Sequence, residues 1–361
     1  MPQNALIRAR AAELRARFEE AGATVAETSV LQPAEVLLDL YGEDIRGRAY
    51  VTSDSLLGEQ MLRPDFTVPV VQMHMEHGAE PARYTYSGEV FRRQEEDSRR
   101  SNEYTQVGYE VFDREDPASA DAEVFCLIKQ TLSHLDLRAS TGDIGLLMAA
   151  VQGLETTERR KAALMRHIWR PRRFRALLDR YSGRVPVPAS REALLAQDEP
   201  MQSGVPFIGL RSPVEVSGRI EALREDVGAM PISSGQVELL DALLDVRETL
   251  PFALEQLRDI AVDMPAITDA LFSLRERIDA LDAKGVDVAS IDFEGSYGRT
   301  NMEYYDGFVF GFLAEGRHDL PAVATGGRYD ALTRVLGKGK EIPAVGAVIR
   351  PEVVLELEAG Q

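Results

Sequence analysis

Residues 83–110 read RYTYSGEVFRRQEEDSRRSNEYTQVGYE. Two strand-like runs flank one polar loop. The first, 83–93, alternates through Tyr84 and Tyr86 and continues with Val90 and Phe91. The second, 104–112, carries Val107, Tyr109, Val111 and Phe112. The ten residues between them, QEEDSRRSNE, include no apolar side chain. This pattern predicts a long antiparallel hairpin with an exposed tip. Arg92, Gln106 and Glu110 sit within these runs, where packing alone favours apolar residues. Ionic groups on a central hairpin need partners, and a small zwitterionic ligand is one kind of partner. A solvated face of an antiparallel sheet accounts for the same residues equally well.

The chain has 361 residues, enough for one large or two moderate domains with ample core. Its 44% hydrophobic and 28% charged content is that of a soluble globular protein. The 59 acidic and 41 basic residues leave a formal charge of −18. Such a surface repels phosphate backbones and disfavours general nucleic-acid binding. The single cysteine, Cys126, excludes an intrachain disulfide and a multi-cysteine metal site. It lies in the apolar run AEVFCLIKQTL and is expected to be a buried thiol. No apolar run approaches ~18 residues, so no membrane span is expected. The start, MPQNALIRARAAEL, lacks the apolar core of a signal peptide, and a cytoplasmic location is the default expectation.

Residues 4–21 predict an amphipathic helix with Asn4 as cap, Leu6, Leu14 and Phe18 on one face, and Gly22 at its end. A strand is expected over 23–28. Pro33 precedes AEVLLDL, a short helix. A short strand follows at 48–52. In LRPDFTVPVVQMHMEHG, residues 62–65 look extended and Thr67 begins a helix. His74 and His77 are three apart on it, but no third ligand is evident, so an exposed pair is expected rather than a metal site. Residues 122–135 are helical. Residues 150–290 are mostly helical, with breaks near 183–204 and 228–235. The stretch RRKAALMRHIWRPRRFRALLDRY, 159–181, is basic. It suits an acidic partner or phosphates, or, more commonly, a solvated face paired with neighbouring acids. A leucine stripe runs over 235–257, and Pro251 is expected to kink or break it. Strands return at 290–296 and 302–314. ATGGRYDALTRVLG, 324–337, reads as a glycine turn opening a helix. A strand at 342–350 and a last helix starting with Pro351 complete the pattern. There is no GxxxxGK[ST] and no GxGxxG. Strands on both sides of a helical block suggest one mixed domain interrupted by an insertion.

Taken in order, these segments resemble the catalytic core of class II aminoacyl-tRNA synthetases, specifically the histidyl-tRNA synthetase family. Pro33 and its helix resemble motif 1, the family's dimer-forming element. LRPDFT, 62–67, is similar to LRPEGT. Residues 91–110 match motif 2: FR, a charged loop, then Gln106, Gly108 and Glu110. MEYYDGFVFG, 302–311, resembles LDYYTGTVFE. GGRYDAL and PAVGAVI resemble the approach to motif 3. The resemblance implies an α+β fold: a class II aminoacyl-tRNA synthetase-like core with a mixed, mainly antiparallel sheet flanked by helices. The core is expected over 1–150 and 288–361, with 151–287 a mostly helical insertion and no anticodon-binding domain.

Departures from the family pattern cluster on amino-acid activation. Thr300 stands at the catalytic arginine position, and the neighbouring Arg299 is expected on a strand, facing the other way. Gln94 replaces an ATP-contacting glutamate, and Val353 replaces the motif 3 arginine. Adenylate formation needs cations around the α-phosphate. The amino-acid pocket, in contrast, is kept. By resemblance, a histidine ligand would have its ammonium held by Asp65, Thr67 and Gln106. Its carboxylate would meet Arg92, and its imidazole Glu110 and Tyr305, with Tyr304 supporting that wall.

An intact pocket without activation or a tRNA-binding domain resembles the regulatory subunits of ATP phosphoribosyltransferase, paralogues of the synthetase. Membership implies a non-catalytic chain without cofactor or metal. It implies a short-form catalytic partner, a hetero-octamer, a motif 1 homodimer, and feedback inhibition of histidine biosynthesis by L-histidine, without tRNA. Two other readings stand beside it: a truncated synthetase paralogue charging a small acceptor, and a stand-alone histidine sensor.

Overall fold

The computed structural model describes residues 3–41, 43–94, 101–198, 200–201, 209, 211–300 and 304–360. Its strands, in chain order, are β1 (Thr24–Val25), β2 (Leu31–Pro33), β3 (Val51–Asp54), β4 (Gly58–Leu62), β5 (Ala82–Phe91) and β6 (Glu103–Phe112). They continue with β7 (Leu137–Asp143), β8 (Arg247–Thr249), β9 (Asp292–Glu294), β10 (Phe308–Ala314), β11 (Ala324–Arg328) and β12 (Ala344–Ile349). Nine form one sheet in the order β1-β5-β6-β12-β11-β10-β7-β9-β8, and β2-β4-β3 form a small second sheet. Only the β1–β5 and β7–β9 joints of the large sheet are parallel. The hairpin of residues 83–110 is its spine: β5 and β6 pair antiparallel along their full length, Tyr86 opposite Gly108 and Tyr84 opposite Glu110. Residues 95–100, within its tip, lie outside the described residues.

Alternation along the strands sends side chains to two faces. One face of β6 presents Val107, Tyr109 and Val111, and Phe18 of the Gln3–Glu20 helix reaches the Tyr109 ring, 5.4 Å between centroids. The Pro117–Thr131 helix lies on the same side of the sheet, where Phe125 packs among Phe308, Phe310 and Phe312. The opposite face carries Gln106, Gly108 and Glu110. It is covered by the Thr67–His77 helix, whose His74 ring stacks 4.0 Å from the Phe112 ring.

Several local expectations need correction. Asn4 lies inside the first helix rather than capping it, while Gly22, with φ +94°, does terminate it. The strand expected over 23–28 contracts to two residues. His74 is not exposed: it is buried, its Nδ1 is 3.1 Å from the Tyr84 hydroxyl, and burial lowers its pKa. Its ring fills a core position that the spacing to His77 did not reveal. ATGGR is a strand and not a turn, because Gly326 and Gly327 admit Phe310 and Tyr305 against the backbone. The leucine stripe of 235–257 is two helices, Ser234–Asp245 and Leu250–Asp263, with β8 between them and Pro251 in the first turn of the second.

The segment 151–287 is helical for most of its described length, yet it is built into the sheet. β8 pairs with β9. On the Thr268–Ala283 helix, Arg277 is buried and donates to Asp121 at 2.7 Å and Asp143 at 2.8 Å. Asp121 also accepts from Arg328 on β11. A buried ionic chain thus ties that helix to the sheet; paired in this way, the charges keep the hydrogen-bonding partners that burial demands.

Candidate functional site

Glu110 is the centre of the covered face. It projects from β6, two residues before the strand ends, and is buried. A buried carboxylate needs donors, and three hydroxyls supply them. Thr67 Oγ1 donates to Oε1 at 3.0 Å, Tyr86 to Oε1 at 2.7 Å, and Tyr329 to Oε2 at 2.6 Å. Burial nevertheless outweighs these bonds and pushes the Glu110 carboxyl up to about 7. The Tyr86 and Tyr329 phenols are held well above their ordinary value, mainly by burial and then by the charge of Glu110.

Glycines make room for this cluster. Gly346, opposite Glu110 on β12, leaves the space that the carboxylate fills. Gly108 does the same for the Tyr86 ring and Gly327 for Tyr305. Two strands further, Gly311 and Gly142 lie beneath Tyr297. A row of backbone-only positions therefore crosses the sheet, with acid and phenol side chains laid into it.

The residues singled out from the sequence occupy this region. Asp65 is buried; Oδ1 accepts from Val68 N at 3.2 Å, and Arg92 Nη2 lies 3.9 Å from Oδ2. Arg92 Nε donates to Pro64 O at 2.6 Å. Gln106 shares the strand face of Glu110 and is buried, and its amide oxygen has no hydrogen-bond partner among the described residues. Tyr305 is buried close enough to Glu110, Asp65 and Arg92 to feel all three charges; burial, followed by the two acids, raises its pKa. Tyr304 packs edge-on against Tyr305 and Tyr329, at 5.0 and 6.0 Å between ring centroids. Asp65, Thr67, Arg92, Gln106, Glu110, Tyr304 and Tyr305 are thus drawn from four stretches of chain to one face.

Reading the sequence missed Tyr86 and Tyr329. Tyr86 lies opposite Gly108 on the hairpin, a local signal, but the contacts that bring both phenols to Glu110 are visible only in three dimensions. Arg299 is also placed differently from expectation. Residues 295–300 form turns, not a strand. Arg299 is buried, donates from Nε to Ile168 O at 2.9 Å and stacks its guanidinium 4.8 Å from the Phe174 ring centroid. Burial, with Arg175 nearby, brings its pKa down to about 10. Thr300 is exposed and Val353 is buried apolar packing. Gln94 N–H donates to Asn102 Oδ1 at 2.8 Å and its side-chain amide to Arg92 O at 3.4 Å. Met302 and Glu303 lie outside the described residues.

The basic stretch 159–181 is largely paired. Arg160 is buried on Asp226 and on the carbonyls of Asp226 and Met230, Arg159 faces Glu225, and Arg175 faces Asp241. Among the described residues no cluster of three or more His, Cys, Asp or Glu side chains has the arrangement of a metal site. No helix of the described chain is long and apolar enough to cross a membrane.

The sequence matches the histidyl-tRNA synthetase family over residues 2–174 and 216–354. The ATP phosphoribosyltransferase regulatory subunit of Agrobacterium fabrum is 34% identical, with 93% of each chain covered. The chain belongs to the histidyl-tRNA synthetase family, among the ATP phosphoribosyltransferase regulatory subunits. The regulatory subunit of Brucella anthropi is 29% identical over 92% of this chain and 93% of its own. The fold is similar to that of an ATP phosphoribosyltransferase regulatory subunit/histidyl-tRNA synthetase from Bacillus halodurans, with a TM-score of 0.69 at 20% identity, covering 99% of this chain and 80% of that one. It is also similar to a histidine–tRNA ligase subunit from Alicyclobacillus acidocaldarius, with a TM-score of 0.63 at 22% identity, covering 99% and 94%. The α+β, class II synthetase-like core expected from the resemblance to the histidyl-tRNA synthetase family is therefore the fold of this chain. The family match passes over 175–215, which includes the Ala189–Leu195 helix, and resumes before β8 and Arg277.

Proposed function

We propose that this chain is the non-catalytic regulatory subunit of an ATP phosphoribosyltransferase and that free L-histidine occupies the face around Glu110. Catalysis then resides in a separate short-form chain, assembled with this one in a cytoplasmic hetero-oligomer. The ligand ammonium is held by Asp65, the Thr67 hydroxyl and Gln106. Its carboxylate meets Arg92. Its imidazole lies between Glu110 and Tyr305, with Tyr304 behind. Gln106 is the observation that carries this reading: a buried amide oxygen without a partner is costly unless something supplies a donor, and an ammonium does so. Near neutral pH Glu110 can meet the imidazole either as a carboxylate accepting from a ring N–H or as an acid donating to a bare ring nitrogen.

Amino-acid activation is absent in this reading. Thr300 and Val353 leave the α-phosphate region without two cations that the synthetase pattern supplies, and Arg299 is committed to Ile168 and Phe174. The motif 1 region, residues 22–42, forms a symmetric dimer contact, for which Val30 and Leu31 offer half-exposed apolar surface.

The test combines binding and assembly. Calorimetry should detect L-histidine binding to the wild-type chain, weakened about tenfold or more in Glu110→Ala. The chain should co-purify with, and activate, a short-form catalytic chain. Equal histidine affinity in both proteins would move the effector site elsewhere. Histidine-dependent ATP–pyrophosphate exchange at synthetase rates would overturn the non-catalytic assignment.

A further inference from the structure

The acid that follows Tyr305 plays no part in the histidine contacts above, yet its geometry is specific. Asp306 is mostly withdrawn from solvent between two segments of the site. Its Oδ1 accepts from Asp330 N at 3.0 Å and its Oδ2 from Ala331 N at 2.5 Å. Its own N–H donates to Arg328 O at 3.1 Å. These three bonds bracket Tyr329, the residue whose hydroxyl holds Glu110 Oε2. On the other side, Asp306 is bonded covalently to Tyr305, the remaining phenol of the imidazole wall.

We propose that Asp306 is a positioning residue for this pocket: it locks Tyr305 to Tyr329 and, through Tyr329, sets the orientation of Glu110. The inference rests on the Glu110 face being the ligand site. In the LDYYTGTVFE pattern the corresponding residue is threonine, whose single hydroxyl oxygen cannot offer each backbone N–H its own acceptor atom as the carboxylate does. The clamp is also sensitive to protonation. Burial, reinforced by the Asp330 carboxylate and opposed by the two N–H groups and Arg328, pushes Asp306 up to about 7. Other charges face this corner. Asp330 accepts from Ala344 N and Arg328, Asp121 holds the far side of Arg328, and Glu110 lies beyond Tyr329. Protonated, Asp306 has one oxygen committed to its own proton and loses one of its two backbone bonds.

The chain's only tryptophan supplies an independent reporter. Trp169 Nε1 donates to Tyr305 O at 3.2 Å, so its emission follows the position of the Tyr305 backbone whether or not ligand is present. The experiment compares wild type, Asp306→Asn and Glu110→Gln by Trp169 fluorescence and L-histidine calorimetry across about pH 6 to 8.5. Ligand-free wild type should titrate in emission with a midpoint near 7, Glu110→Gln should keep that transition, and Asp306→Asn should lose it. Histidine should bind Asp306→Asn about tenfold more weakly at the alkaline end, with a shallower pH dependence. If Asp306→Asn has a lower melting temperature but unchanged affinity and pH profile, Asp306 is merely structural and the inference falls. If wild type binds no histidine while its Asp306-dependent emission change persists, the clamp stands and the ligand assignment falls instead.

Discussion

Glu110 on β6 faces Gly346 on β12 in the antiparallel ladder, and its carboxylate occupies the volume where any Cβ at 346 would be. One residue is therefore absent in side chain so that another can lie flat against the sheet. Gly346→Ala should force the buried carboxylate off its three hydroxyl donors. The expected cost is about 1–3 kcal/mol from overpacking, together with loss of histidine binding. Urea denaturation and calorimetry on the same preparation check both.

Glu110 also fixes a pH dependence. Its folded pKa, about 7, lies above the unfolded 4.5, so the folded chain holds a proton that the unfolded chain has released over that interval. Stability from this group is greatest at low pH and falls as pH rises toward about 7, by up to about 3 kcal/mol. His74 acts in the opposite sense: its lowered pKa means that stability is lost as pH falls below its unfolded value, 6.5. Glu110→Gln should flatten the decline expected for wild-type denaturation midpoints between about pH 4.5 and 7. An unchanged slope would place the titrating group elsewhere.

The Arg277 ion pairs should be far more valuable than surface ones. Replacing Arg277 with methionine leaves Asp143 buried without its cation and Asp121 with Arg328 alone. A loss of about 3–5 kcal/mol is expected, read as a large drop in denaturation midpoint. By contrast, Arg15→Ala, which removes an exposed pair with Glu19, should change stability by under about 1 kcal/mol.

Leu31→Asp tests the proposed dimer contact. Leu31 is 48% exposed in the single chain, so a charge there disturbs little of the core. Sedimentation should show a dimer for wild type at micromolar concentration and a monomer for the variant. A wild-type monomer would remove the contact from consideration.

The hairpin, the Thr67 and Pro351 helix starts and the buried Cys126 were legible because their signals are local: alternation, proline placement and an apolar run. Resemblance added the order of the motifs and singled out distant residues that the fold brings to one face of the sheet. What stayed hidden depended on distance along the chain. Tyr329 reaches Glu110 across 219 positions, and no periodicity encodes that meeting. β8 was lost inside a leucine stripe because three strand residues leave too short an alternation to see. His74 read as surface because a polar ring stacked in a core looks, in sequence, like any other histidine.

That short strand has a thermodynamic consequence. With β8 in the main sheet and Arg277 anchored on Asp121, the middle of the chain cannot melt while the rest keeps its order. Heating should give one calorimetric peak whose van't Hoff and measured enthalpies agree, not the two of a domain with a detachable insert. Excising 151–287 and joining the ends would remove an edge of the sheet along with the helices, and such a shortened chain should fail to fold.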